Sequence, residues 1–286
     1  MPPAHALRTE PITRIDGAAG ERRDDVLAVE EPLEIRVAGR SLAVVMRTPG
    51  HDRELAAGFL VTEGLVRRRD DVLDMIYCGR GDATPSSRSE RSGGAASPSL
   101  PRETVLDVLL APGVAVDFAR LSRNVFTSSS CGICSKASID AVRTQFPPLG
   151  EALAPRRAVL AALPAKLRAA QAGFAATGGL HASGLFTRAG ELVVAREDVG
   201  RHNALDKAIG HAFFGERLPL AAHILLVSGR VSFEIVQKAL AAGIPCIAAI
   251  SAPTSAAVEL ARESGQTLVG FLRGAGMNVY AGTLAD

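Results

Sequence analysis

Between residues 192 and 272, short apolar runs alternate with segments of helical period, and that alternation leaves few folds open. Residues 192–195, 223–227, 244–250 and 267–272 read as strands. Residues 201–214 read as a helix. Phe233, Val236 and Leu240 line one face of a second helix that ends at Gly243, and residues 254–264 form a third, closed by Gly265. Strands joined through helices by short loops imply parallel pairing and right-handed crossovers. The expectation is an α/β fold, a sheet layered with helices and built from parallel βαβ units.

The N-terminal part reads differently. Residues 1–25 are polar and charged and are expected to form a loose tail. Leu33, Ile35 and Val37 alternate with polar residues, Gly39 offers a turn, and Leu42, Val44 and Met46 resume the alternation, which predicts a hairpin. Thr48-Pro49-Gly50 breaks the strand. Asp52 is placed to cap a helix with Leu55, Phe59 and Leu60 on its apolar face and Gly64 as its stop. Residues 79–104 are rich in Ser, Gly, Pro and Arg, cannot bury enough surface to offset ordering entropy, and are expected to be a mobile insertion. A strand-like run follows at 105–110. The chain is long enough for two domains: a small α+β subdomain over 26–125 and an α/β domain over 126–286.

The charge balance limits partners. Thirty-two basic against 30 acidic residues leave a net charge of +2, too little for the basic field of a nucleic-acid binder. The start lacks a basic-then-apolar export signal, and the longest apolar runs are far too short for a bilayer. Four cysteines in 286 residues do not make a disulfide framework and fit a reducing compartment. A soluble, cytoplasmic protein with no nucleic-acid or membrane partner is expected.

Two of those cysteines sit in Ser128-Ser129-Ser130-Cys131-Gly132-Ile133-Cys134. Such a pair serves as a metal clip, a redox dithiol or a sulfur-handling nucleophile with a partner thiol. Structural zinc needs four ligands, whereas Cys78 and Cys246 are isolated and His181 brings no second pair. A thioredoxin-like dithiol would carry Trp or Pro nearby, and no aromatic residue is closer than Phe126. A persulfide carrier needs an accessible thiol of depressed pKa. Lys136 and the positive end of a helix expected near 135–143 favour thiolate, and the small serines admit a bulky partner. Two buried cysteines packed as small apolar groups would not be set among serines.

Three strand ends carry groups suited to an anion. Ser228-Gly229-Arg230, Ser251-Ala252-Pro253-Thr254 and Arg273-Gly274-Ala275-Gly276 follow successive strands, and ligands of parallel sheets bind beyond the carboxyl ends. Ser228, Arg230, Thr254, Arg273 and the glycines form a candidate phosphate cradle. No Walker loop and no G-x-G-x-x-G fingerprint is present. In the dense polar run from Arg196 to Asn203, Asp198 is placed to cap a helix and His202 lies one turn from Asp206. The run reads equally as local ion pairs or as a polar wall with His202 as acid, base or ligand group. Gly178 and Gly179 suit a tight turn before His181.

Taken together, the segments Thr48-Pro49-Gly50 to Gly64, Ser129 to Cys134, Thr177 to His181, Glu197 to Lys207, Ser228-Gly229-Arg230 and Phe271 to Tyr280 resemble the FdhD family of formate dehydrogenase accessory sulfurtransferases. The resemblance covers nearly the whole chain outside the tail and the 79–104 insertion. It implies a cytidine-deaminase-like layered fold and a homodimer. It further implies a sulfurtransferase that takes sulfur from a cysteine desulfurase and passes it to molybdenum bis(molybdopterin guanine dinucleotide), a bound substrate destined for formate dehydrogenase. On the matching positions, Cys131 would carry the persulfide and Cys134 would assist. Phe271, Leu272, Arg273, Gly274, Ala275 and Gly276 would contact the cofactor, with no tightly bound metal of the protein's own. Ser135 stands where many relatives have glycine. The alternatives are a cofactor-binding chaperone without sulfur chemistry and a zinc deaminase. Against the deaminase, Ser130 replaces the proline before the cysteine pair and His51-Asp52-Arg53-Glu54 has the wrong His-to-Glu spacing.

Overall fold

A computed structural model of the chain describes residues 4–17, 19–78, 104–116, 145–150 and 153–286. Cys131, Cys134, the helix expected near 135–143 and all but Thr104 of the expected insertion lie outside the described residues.

The N-terminal residues are not a loose tail. β1 (Leu7–Asp16) and β2 (Ala19–Ala28) pair antiparallel along their whole length as a separate two-stranded ribbon. Their charged residues hid the pairing, because a ribbon exposed on both faces has no alternation to read. A four-stranded sheet follows, from β3 (Glu31–Val37), β4 (Arg40–Arg47), β5 (Val72–Tyr77) and β6 (Val105–Leu110), in the order β4-β3-β6-β5. The β3–β4 hairpin forms as expected, but a register shift at Ile35/Arg36 turns β4 over. Val44 is 63% exposed and Met46 also points outward, while Ala43 and Arg47 face the interior. One extra residue in a ladder reverses the facing of everything beyond it.

α1 (Asp52–Thr62) follows, with Leu55 and Leu60 buried. Asp52 does not cap it. The capping position belongs to His51, in a left-handed conformation, and Asp52 instead pairs with Arg47 at 3.0 Å, both side chains buried. After α2 (Arg157–Ala170) and α3 (Ala172–Thr177) come β7 (His181–Thr187), β8 (Leu192–Asp198), α4 (Arg201–Phe214), β9 (His223–Val227), α5 (Phe233–Ala241), β10 (Cys246–Ala249), α6 (Ser255–Glu263), β11 (Thr267–Arg273) and β12 (Gly276–Ala281). The last six strands form a mixed sheet in the order β12-β11-β10-β9-β7-β8. β9, β10 and β11 are parallel, as the strand–helix alternation requires. β7 inserts antiparallel between β8 and β9, and β12 returns antiparallel beside β11.

The central strands are buried on both faces. Ile224 and Leu226 pack with Leu160, Leu163 and Leu167 of α2. Leu225 and Val227 pack with Leu205, Ile209, Ile235 and Leu260 of the helices on the opposite face. Alternate residues of one strand thus feed two cores, which is why its sequence is continuously apolar. The second core continues through α1 into Leu33, Ile35, Leu106 and Val108 of the four-stranded sheet. The α/β layering read from the sequence is therefore present.

α1 and α4 cross at backbone contact. A Cβ on Gly58 would lie 1.8 Å from the Asp206 carbonyl oxygen, and one on Gly210 would lie 1.8 Å from that of Glu54. Gly58→Ala or Gly210→Ala is expected to cost more than about 3 kcal/mol, above ordinary overpacking. Gly39→Ala has open space but a φ of +77° and should cost only about 1 kcal/mol. Urea denaturation of the three variants checks the ranking.

Candidate functional site

Because β9, β10 and β11 run parallel, their carboxyl ends share one edge of the sheet, and the amino ends of α5 and α6 begin there. β7 starts and β8 ends at the same edge, since His181 pairs with Asp198 and Ser183 with Val227. The loops are tied together. Val231 N–H donates to the Ala252 carbonyl, Thr254 N–H to that of Val231, and Phe271 N–H to that of Ser251. Ser228, Arg230, Thr254 and Phe271 to Gly276 are thereby gathered on one edge.

Their side chains differ in what they can offer. Ser228 Oγ accepts from Ala182 N–H at 2.9 Å. Thr254 caps α6, accepting from Ala257 N–H at 3.3 Å. Leu272 is fully buried in the core beneath the edge. Phe271 is the unusual residue, an exposed aromatic with φ +51°, conformationally costly for a non-glycine. Arg273, Gly274, Ala275 and Gly276 form the exposed hairpin turn between β11 and β12, closed by the pair Arg273–Gly276, with Gly274 at φ +56°. Arg230 is also exposed.

The polar run that closes β8 and opens α4 is mostly scaffold. Asp198 does not cap α4, whose N-terminus begins at Gly200 without a side-chain cap. Its carboxylate instead accepts from Lys207 Nζ at 2.7 Å, Thr48 N–H at 3.1 Å, Gly200 N–H at 2.8 Å and Asn203 Nδ2 at 3.0 Å. Lys207 also donates to the Thr48 carbonyl at 2.8 Å. Thr48-Pro49-Gly50 is thus clamped to the end of β8. Glu197 takes the N-terminal amides of Gly173 and Phe174 in α3. Arg196 makes a two-pronged ion pair with Glu54 of α1. Asp206 turns away from His202 to the buried Lys238, 2.8 Å away, which also donates to Thr62 Oγ1. Burial opposes the Lys238 ammonium, but Asp206, Glu234 and Glu63 hold its pKa above the ordinary lysine value.

His202 faces a different pair. Its Nε2 lies 3.2 Å from Ser232 Oγ and its Nδ1 3.3 Å from Glu234 Oε2. The order hydroxyl–imidazole–carboxylate has the outline of an activated nucleophile, but the electrostatics deny it. Burial, then Arg201, Lys238 and His181, drive His202 down to about 3, so it stays neutral and is a feeble base. Burial also raises Glu234. The hydrogen bond with His202 orients Ser232 rather than activating it.

Sequence reasoning placed Arg201 in the polar run without singling it out and left the part of His181 open. Both pack over Gly229, where an added Cβ would meet His181 Nδ1 at 3.2 Å and Arg201 Cδ at 3.5 Å. Arg201 Nε is buried without a hydrogen-bond partner. Burial, then Arg201 and Arg230, lower the His181 pKa, against the pull of Asp198. The glycine in the predicted Ser-Gly-Arg turn was the available signal, since a residue without Cβ lets other side chains close over it.

Among the described residues, no cluster of three His, Cys, Asp or Glu could hold a metal ion, and no helix is long and apolar enough to cross a membrane. Cys246, in β10, is wholly buried and its thiol is pushed up to about 12, so it carries no thiolate at neutral pH. The sequence model of the FdhD/NarQ family matches residues 28–284. The chain belongs to the FdhD/NarQ family. Similar members are the sulfur carrier protein FdhD of Streptomyces avermitilis, 53% identical with 95% of this chain and 92% of that one covered, and that of Mycobacterium tuberculosis, 53% identical with 92% of each covered. The FdhD of Anaeromyxobacter dehalogenans is 46% identical over 98% of this chain and 93% of its own. A crystal structure of a proposed formate dehydrogenase accessory protein from Desulfotalea psychrophila superposes with a TM-score of 0.71 over 97% of both chains, and at 23% identity it supports the α/β fold.

Two outcomes follow for this FdhD/NarQ member. Lys207→Met leaves the Asp198 carboxylate buried and unpaired and should cost about 3–5 kcal/mol, read as a lower urea midpoint. The folded pKa of His202, about 3, lies below its unfolded value. Its contribution to stability is thus complete above about pH 6.5 and fades as pH falls through the interval below. Between about pH 7 and about pH 4, His202→Asn should lose less unfolding free energy than the wild type.

Proposed function

We propose that this protein is a sulfur carrier. Cys131 accepts sulfane sulfur from a cysteine desulfurase and passes it to molybdenum bis(molybdopterin guanine dinucleotide), the bound substrate, in support of a formate dehydrogenase. Relatives about 50% identical over nearly the whole chain carry the name sulfur carrier protein. The observation that carries the substrate half is the sheet edge, where Arg201, Arg230 and Arg273 stand beside glycine turns and helix N-termini. The buried, unpartnered Arg201 Nε and the close approach of His181 and Arg201 over Gly229 fit a substrate with several phosphates.

In the loading step, the Cys131 thiolate attacks the outer sulfur of the donor persulfide. The donor's S–S bond breaks, its cysteine leaves as thiolate, and Cys131 keeps the sulfane sulfur as a new persulfide. The protein acts in this reading as a sulfurtransferase with a cysteine persulfide intermediate, with Cys134 as the assisting thiol. A homodimer in the cytoplasm, with no resident metal, belongs to the same reading. Arg230, Arg273 and Arg201 neutralise substrate phosphates, the hairpin turn at Gly274 admits the substrate close to the backbone, and Phe271 offers an aromatic face.

Incubation with a cysteine desulfurase and cysteine, followed by mass spectrometry, should place an added sulfur on Cys131 and none on Cys246. Cys131→Ala should abolish labelling and the support of formate dehydrogenase. Full support from the Cys131→Ala/Cys134→Ala double variant would instead favour a cofactor-binding chaperone, and unlabelled wild type would defeat the sulfur half of the proposal.

A further inference from the structure

We propose that His181, Arg201 and Arg230 form a phosphate subsite over Gly229, in which His181 takes up a proton as the anion arrives. The proposal rests on the reading that the strand-end edge binds a phosphorylated substrate, and it adds a second recognition element beside the β11–β12 turn.

The three side chains come from separate elements. His181 opens β7, Arg201 opens α4, and Arg230 follows β9. His181 and Arg201 close over Gly229, which has no Cβ to hold them apart, and Arg230 is near enough for its charge to act on the His181 ring. Among the described residues, no hydrogen bond or ion pair reaches the His181 ring or the guanidinium groups of Arg201 and Arg230, and Arg201 Nε is sequestered from water besides. Buried donors are ordinarily satisfied, so an unsatisfied one at a basic cluster points to an acceptor that arrives from outside.

Nearby carboxylates do not supply it. Asp198, at the end of β8, is held by Lys207, Asn203 and two backbone amides. Glu197 is held by the start of α3, and Glu234 faces His202. The groups facing His181 are therefore Arg201 and His202 of α4, Arg230 beyond β9, and the already committed Asp198. Burial and the two arginines disfavour the imidazolium form. A phosphate lying between the arginines reverses the local field. A negative charge within a few ångströms favours imidazolium, and the protonated ring then supplies another charged donor to the phosphate. Binding and protonation are linked, so affinity is greatest at low pH and weakens as pH rises through the bound-state pKa of His181.

Inorganic pyrophosphate is the probe. Calorimetric titration of the full chain at about pH 7, in two buffers of different ionisation enthalpy, should show uptake of a fraction of a proton on binding. An imidazole NMR titration of the wild type should show the His181 pKa rising when pyrophosphate is added. His181→Gln should bind without proton uptake, with an affinity loss of about threefold or more near pH 6 that shrinks near pH 8. Arg201→Gln should weaken binding about tenfold or more. Circular dichroism and thermal melts confirm that both variants are folded.

Binding by the wild type without proton uptake, or full uptake in His181→Gln, overturns the subsite. If Arg273→Ala abolishes binding while Arg201→Gln does not, the subsite falls and the edge survives as the phosphate site. If pyrophosphate does not bind the wild type at all, both fall. Persulfide labelling of Cys131 is read separately, so failure there touches only the sulfur half of the proposed function.

Discussion

A single buried ammonium–carboxylate pair, Lys207 with Asp198, fixes the geometry on which the rest of the molecule depends. The carboxylate satisfies amides at Thr48 and Gly200, the ammonium satisfies the Thr48 carbonyl, and segments roughly half the chain apart are held in one register. The net worth of such a pair against an apolar replacement is small, because both charges must leave water. Its importance lies in what either partner would do alone, as an uncompensated charge in the core. The glycine crossing of α1 and α4 works alongside it. With backbone against backbone at Gly58 and Gly210, no layer of side chains lies between the helices to absorb a shift.

The charged residues of this chain divide into two populations. Arg47, Asp52, Asp198, Lys207, Asp206 and Lys238 are buried and paired with one another or with backbone. Arg201, Arg230 and Arg273 stand at the ends of strands with no such commitments among the described residues. A single dense motif across the β8–α4 junction contributes to both groups. Charge density in sequence therefore marks the region of the site without saying which charges do chemistry. Ion pairing inside the fold separates the two populations.

The central strands and the helices between them were legible because each obeys one period throughout. β9 and α4 fall at the boundaries that hydrophobic pattern sets. β1, β2 and β12 were not legible. They are exposed ribbons or an edge, and an exposed strand carries no alternation. The outward turn of Val44 and Met46 depends on a register shift, which depends on the partner strand and not on local sequence. In the site, the gathering of Ser228, Arg230, Thr254 and Arg273 at one edge followed from the parallel order of strands. The packing of His181 and Arg201 over Gly229 did not, since β7 inserts between β8 and β9, and only the full strand order puts the start of β7 beside the end of β9.

Cys246 sits on β10, a few residues below the loop that reaches Ser251 and Thr254. An ionisable sulfhydryl at that depth would be a rival acceptor, able to divert cargo into an inaccessible adduct within the sheet. Walled in by hydrocarbon and holding its proton far above neutrality, it is chemically silent. The same insulation that makes it good core filling would keep the sulfur transfer proposed for Cys131 off this sheet.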